Sequence, residues 1–180
     1  MSWQGPAAGS AACPRCAETL HRRFARAAVC TARGSGVLLV DTSAWIEVFR
    51  RPARITLDEI VDDRDRIVTC LSVVQEVLQG FDDERAFEIA RTAMYALPCV
   101  ETPLTDTVVD NAVDIYRRAR RAGVTVRSSV DCLVAACALR NHLTIVHRDR
   151  DYANIAKVVA LEQTDISPLL KRVRGAARGT

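Results

Sequence analysis

Four acidic residues stand where carboxylates are out of keeping with their neighbours. Asp41 ends the apolar run Val37-Leu38-Leu39-Val40, and Asp149 lies just beyond Leu143-Thr144-Ile145-Val146. Glu76 interrupts the Val/Leu stretch from Val73 to Leu78, and Asp131 interrupts a stretch of small and apolar residues from Ser128 to Leu139. Most other acids fall in charged, solvated runs such as Asp82-Asp83-Glu84. Gathering four carboxylates is costly, because two unit charges 4 Å apart repel by about 4 kcal/mol at an effective dielectric of 20. His147 is the only Lys or His in these runs, so the expected counter-charge is a hard divalent cation. Mg2+ and Mn2+ take oxygen ligands. On a carboxylate site they support phosphoryl transfer by activating a water and neutralising charge on the phosphate.

The elements needed to bring these acids together can be read from periodicity. Val37–Val40 has no polar alternation, which fits a central parallel strand covered on both faces. Asp41-Thr42-Ser43 supplies capping residues, and the helix expected after them runs through Ala44-Trp45-Ile46-Glu47-Val48-Phe49. A short capped helix is expected at Thr56–Val61, a strand at Ile67–Cys70, and a helix from Leu71 to Gln79 closed by Gly80. Further helices are expected from Asp82 to about Ala96, from Thr105 to Arg121 before Gly123, and from Ser128 through Leu139. Short strands are expected at Cys99-Val100 and Leu143–Val146, with a last edge strand at Val158–Leu161. Strands alternating with helices imply a parallel sheet with right-handed crossovers. Ligands of such sheets bind beyond the carboxyl ends of the strands, where Asp41 and Asp149 would lie.

The segments Val40-Asp41-Thr42-Ser43-Ala44, the Glu76 helix, Ser129-Val130-Asp131-Cys132-Leu133-Val134-Ala135-Ala136 and His147-Arg148-Asp149-Arg150-Asp151-Tyr152 resemble, in order and spacing, the PIN domain. Within it they are most similar to VapC-type toxins of type II toxin–antitoxin modules. Each motif is weak alone, but the ordered set of four is specific, and it covers about residues 37–165. The resemblance implies an α/β three-layer sandwich with a central parallel sheet of four to five strands flanked by helices. It implies a Mg2+- or Mn2+-dependent endoribonuclease that hydrolyses RNA phosphodiester bonds with a metal-activated water. It also implies a cognate antitoxin as partner and a homodimer. Carried over, Asp41, Glu76, Asp131 and Asp149 form the catalytic metal site, Thr42 or Ser43 hydrogen-bonds a ligand carboxylate or water, and Asp151 supports from behind. His147 stands where a small polar residue or Asn is common, and Tyr152 where Phe is common. Neither departure removes a ligand.

Net charge is +3, but residues 1–36 hold five arginines against Glu18, leaving 20 basic and 21 acidic residues in the rest. The main body is thus not a basic nucleic-acid binder by bulk charge, and a polyanion must be held by local patches and metal. Candidate RNA contacts are Arg117, Arg118, Arg120, Arg121 and Arg148; the bland reading of the first four is a solvated helix end that suits the dipole. Trp45 reads as a core or dimer contact before a base-stacking platform, and His147 as packing before a proton carrier. Residues 1–36, ending in Gly34-Ser35-Gly36, read as a disordered extension or an upstream start, and residues 166–180 as a basic tail. Among the seven cysteines, Cys70, Cys99, Cys132 and Cys137 read as reduced core residues, and Cys13-Pro14-Arg15-Cys16 as half a zinc knuckle short of ligands. The first residues lack a signal-peptide core, which predicts a cytoplasmic chain. Two rivals remain: a catalytically inactive PIN-like RNA- or protein-binding module, against which the intact acids argue, and an aspartyl-phosphate phosphatase, which wants an Asp where Ser43 stands.

Overall fold

The computed structural model describes residues 36–176 apart from 51–52, 54 and 63–64. The Cys13/Cys16 pair and nearly all of the expected extension lie outside the described residues. Four parallel strands form one sheet in the order β2-β1-β3-β4: β1 Val37–Val40, β2 Arg66–Val68, β3 Thr144–His147 and β4 Gln163–Asp165. Leu39, Val40, Ile145 and Val146 are all but fully buried, as expected for central strands covered on both faces. Around them lie α1 Thr42–Phe49, α2 Leu57–Ile60, α3 Leu71–Leu78, α4 Glu84–Tyr95, α5 Asp106–Arg121, α6 Ser129–Arg140, α7 Arg150–Ile155 and α8 Ser167–Ala176. This is the expected α/β architecture, with four strands among the described residues. No helix among them is long and apolar enough to cross a membrane.

Three expected elements differ. Val158–Leu161 is not the edge strand. The chain there is still turning out of α7, with the Val158 and Val159 amides bonded back to the Ile155 carbonyl. The edge is β4, whose Gln163-Thr164-Asp165 carries no apolar residue, because an outermost strand needs backbone pairing more than burial. Cys99-Val100 contributes only a single parallel bridge, Thr69 with Cys99. The expected basic tail begins as α8. Ser167 donates its amide to Asp165 Oδ1 at 2.8 Å, and buried Ile166 and Leu170 dock its start on the core. Of the four cysteines read as core, Cys70, Cys132 and Cys137 are buried but Cys99 is exposed, at the mouth of that lone bridge.

Trp45 is fully buried and stacks on Phe49, which meets Phe81 edge-on. A buried ring of this size removes roughly 150–250 Å² from water, worth about 4–6 kcal/mol at ~25 cal/mol per Å². That identifies Trp45 as an anchor of α1, leaving no face for a base or a second copy. The end of α5 is equally specific. Gly123 has φ +68°, its amide bonds the Arg120 carbonyl at 3.1 Å, and the Val124 amide bonds the Ala119 carbonyl at 2.9 Å. This paired closure turns the chain sharply and feeds residues 124–128 toward the carboxyl end of the sheet, where α6 begins.

Candidate metal centre

Asp41 is delivered by β1 and caps α1. It is buried, and both its oxygens are held. Oδ2 accepts the Ser43 amide at 2.9 Å and the Ser43 hydroxyl, while Oδ1 accepts the Tyr152 hydroxyl at 2.6 Å. Tyr152 is completely enclosed, so its hydroxyl requires an acceptor. Burial, with the charges of Asp41 and Asp131 beyond it, holds the phenol well above its ordinary pKa and keeps it a donor. The Tyr that departs from the usual Phe therefore adds an anchor for Asp41. Glu76 is half-buried on α3 and accepts the Thr42 hydroxyl at 3.0 Å. Burial raises its pKa against the pull of that bond, and the Asp41 charge adds to the rise.

Asp131 sits in the first turn of α6, where its amide donates to the capping Ser128 hydroxyl at 3.3 Å. A helix start favours a negative charge, yet its carboxyl is pushed up to about 8, first by burial and then by the charges of Asp41 and Asp149. Asp149 ends the β3 connection, caps α7 and accepts the Asp151 amide at 3.0 Å. Ligand oxygens of Asp131, Asp149 and Asp151 all lie within 4.8 Å of one another.

Arg127 breaks one expectation. The expected counter-charge to the acids is a metal ion, but Arg127 supplies one from within the chain: its Nη2 donates to Asp149 Oδ1 at 2.9 Å and its Nε to Asp151 Oδ1 at 3.2 Å. Its amide also donates to Asp151 Oδ2 at 2.7 Å. Both Asp151 oxygens are thereby used, and the residue is 1% exposed. Asp151 is the bolt between α7 and the α5–α6 turn, and Arg127 is the cation it takes. The pairing escaped sequence reading because the Gly123 closure makes it, across more than 20 residues of chain. Arg117, Arg118, Arg120 and Arg121 lie exposed at the end of α5, with Arg118 paired to Asp114 at 2.6 Å.

His147 is buried at the end of β3. Its Nδ1 accepts the Asp149 amide at 3.2 Å, so the proton sits on Nε2, which meets Gln163 Oε1 on β4. Nε2 ties β3 to β4 and Nδ1 holds the turn into Asp149, in line with the packing role. A second missed residue is Glu47. It is buried on α1 one turn beyond Ser43, and its Oε1 takes Arg148 Nη1. The signal that singled out Glu76, an acid inside an apolar helix, also marks Glu47 between Ile46 and Val48.

A clustered all-oxygen donor set, with one carboxyl pushed up by burial and by its acidic neighbours, fits a hard divalent ion. The fold and these acids can be set against known proteins. The PIN domain matches residues 38–158. This chain belongs to the PIN domain family. It is 38% identical over 136 residues to the ribonuclease VapC11 of Mycobacterium tuberculosis and to the VapC ribonuclease Mb1587 of Mycobacterium bovis, covering 70% of this chain and 96% of each relative. Among solved structures, VapBC-1 from nontypeable Haemophilus influenzae matches with TM-score 0.56 at 14% identity, over 72% of this chain and 97% of the other. VapBC-5 from Mycobacterium tuberculosis matches with TM-score 0.52 at 17% identity, over 72% and 98%. At these identities the two structures speak for the PIN fold.

Proposed function

We propose that this PIN-domain chain is a Mg2+- or Mn2+-dependent endoribonuclease and the toxin of a toxin–antitoxin pair. The observation that carries the reading is the acidic cluster: ligand oxygens of Asp131, Asp149 and Asp151 lie within 4.8 Å of one another, and the half-enclosed Asp131 is raised to about 8, first by burial and then by the charges of Asp41 and Asp149. Asp41, Asp131 and Asp149 would hold the ion, with Glu76 approaching from α3 and Asp151 occupied by Arg127 behind them. Once bound, the ion supplies Lewis acidity for phosphodiester hydrolysis and offsets the charge that builds on the phosphate. The chain's own work is placement. Tyr152 and Ser43 fix the Asp41 carboxylate, Thr42 aims Glu76, and Arg127 holds Asp149 toward Asp131. The arginines at the end of α5 and Arg148 offer charge to the RNA backbone.

The names of the related proteins support the same partners. The curated relatives are called ribonucleases, and the similar solved structures are VapBC assemblies. A neighbour-encoded antitoxin would close an acidic crevice of this kind with a basic or amphipathic segment, and self-association would run through apolar helix faces. The test is cleavage of total RNA, with ends mapped, by the wild-type protein and by Asp131→Asn, each in Mg2+ and in EDTA. Mapped, metal-dependent ends from the wild type alone support the reading, and equal cleavage in EDTA removes it. Growth arrest relieved by co-expressing the neighbouring gene tests the toxin half.

A further inference from the structure

Resting on that reading, the structure bears on which side chains seat the RNA backbone. Apart from residues 1–36 the chain holds 20 basic and 21 acidic residues, and its reaction centre is acidic. A polyanion approaching that centre therefore needs a local seat. Glu47 is 1% exposed, which for a carboxylate demands cationic partners. Arg148 Nη1 bonds its Oε1, and Arg50 Nη1 lies 3.6 Å from the same oxygen. Both guanidiniums remain open to solvent, with side chains 40% and 46% exposed. Among the described residues, Arg148 and Arg50 thus converge over one sunken carboxylate, which pins them without covering them.

Their position follows from the backbone. The Arg148 amide donates to Ser43 Oγ at 2.9 Å, and Ser43 in turn holds Asp41. Glu47 lies one turn further along the same face of α1, so the Arg148 side chain runs about 5.4 Å along the helix from that anchor. The guanidinium fork therefore stands beside the acidic centre and does not enter it. A planar guanidinium already fixed on one edge loses little further freedom when its other N–H groups grip a phosphate oxygen. We propose that Arg148 and Arg50, held by the buried Glu47, form the seat for an RNA backbone phosphate flanking the one cleaved at Asp41, Asp131 and Asp149.

The test is the affinity of a fluorescein-labelled single-stranded RNA oligonucleotide, followed by anisotropy in EDTA across a KCl series, for the full chain and for Arg148→Ala, Arg50→Ala and the double variant. Arg91→Ala, which removes an exposed charge on α4, is the control. Each phosphate contact contributes about 0.7 to the slope of log affinity against log salt for a single strand. The expected result is a slope reduced by about that much in each single variant and by about twice that in the double, with the control unchanged. Under cleavage conditions KM should rise while kcat holds, a split that a merely structural role for Glu47 and its partners would not give. Thermal unfolding monitors the fold; should Arg148→Ala fail to fold, Arg50→Ala and Arg148→Lys carry the test, the lysine keeping the slope and losing affinity. A wild-type slope in the double variant overturns the seat while leaving the nuclease reading intact. Wild-type protein that neither binds nor cleaves RNA overturns both.

Discussion

Asp131 and Asp151 are two carboxylates of one cluster that reach opposite electrostatic solutions. Asp151 is buried and satisfied: the Arg127 amide takes one oxygen and the Arg127 guanidinium the other. Asp131 is half-buried with no bonded cation among the described residues, and its carboxyl rises to about 8. One acid already has its cation from within the chain; on the proposed reading the other would receive one from outside. Proximity within 4.8 Å therefore does not make three equivalent ligands of Asp131, Asp149 and Asp151. The distinction predicts opposite signs for the same type of substitution at two neighbouring positions.

The largest effect belongs to Asp131→Asn. Cleavage should fall by more than the ~10–100-fold typical of residues that only orient a ligand, while the metal-free protein becomes more stable. The pH dependence follows from the direction of the shift. Asp131 titrates near 3.8 when unfolded and near 8 when folded, so between those values the folded state holds a proton that the unfolded chain has released. Stability of the metal-free wild type should fall as pH rises through that window, and Asp131→Asn should flatten the decline. Thermal melts from pH 5 to 8 with chelator present read this directly. Calorimetry of Mg2+ or Mn2+ binding near pH 7, in two buffers of different ionisation enthalpy, should register proton release that the variant lacks. A wild-type melting temperature that climbs over this range would reverse the assignment of Asp131.

Asp151→Asn should act the other way. It leaves the Arg127 guanidinium and amide facing a partly wrong partner, at about 1–3 kcal/mol for the enclosed hydrogen bonds. Cleavage should drop into the ~10–100-fold range of orienting residues, because Arg127 also steers Asp149. Urea melts of the metal-free protein check the sign. By the same logic, relief of repulsion is not the sole outcome of removing an acid. Asp41 and Asp149 cap α1 and α7 and accept other donors, so their alanine variants should lose stability even as they lose charge conflict.

These contrasts mark where the sequence was legible. The unalternated run at β1 and the capping residues after it point directly to a strand end, and of the four acids in apolar contexts Asp131 and Asp149 fall in the cluster that Asp151 completes. The pairing of Arg127 with Asp151 was hidden because it depends on where the Gly123 turn delivers the chain. β4 was hidden because an edge strand of Gln163-Thr164-Asp165 has no hydrophobic signature. Glu47 was legible by the criterion that found Glu76, but its role was not, since its Arg148 partner lies 101 residues away.

The smallest effect, and the finest probe of the comparison, is Tyr152→Phe. Asp41 resembles Asp151 in being held by the chain, yet it faces Asp131 and would also ligate the ion. The substitution removes one oxygen and leaves no cavity of consequence in the core around residue 152, so packing is preserved. The bond lost is one to a charged acceptor, worth about 1.5–3 kcal/mol in general. Asp41 keeps both donors from Ser43, so the carboxylate is loosened and not released. Metal affinity should weaken by less than ~10-fold, below the range for losing an orienting partner outright. Cleavage at saturating metal should approach the wild-type rate. Should Tyr152→Phe instead abolish cleavage at any metal concentration, the hydroxyl would be taking part in the reaction itself, and the division between acids held by the chain and acids awaiting the ion would have to be redrawn around Asp41.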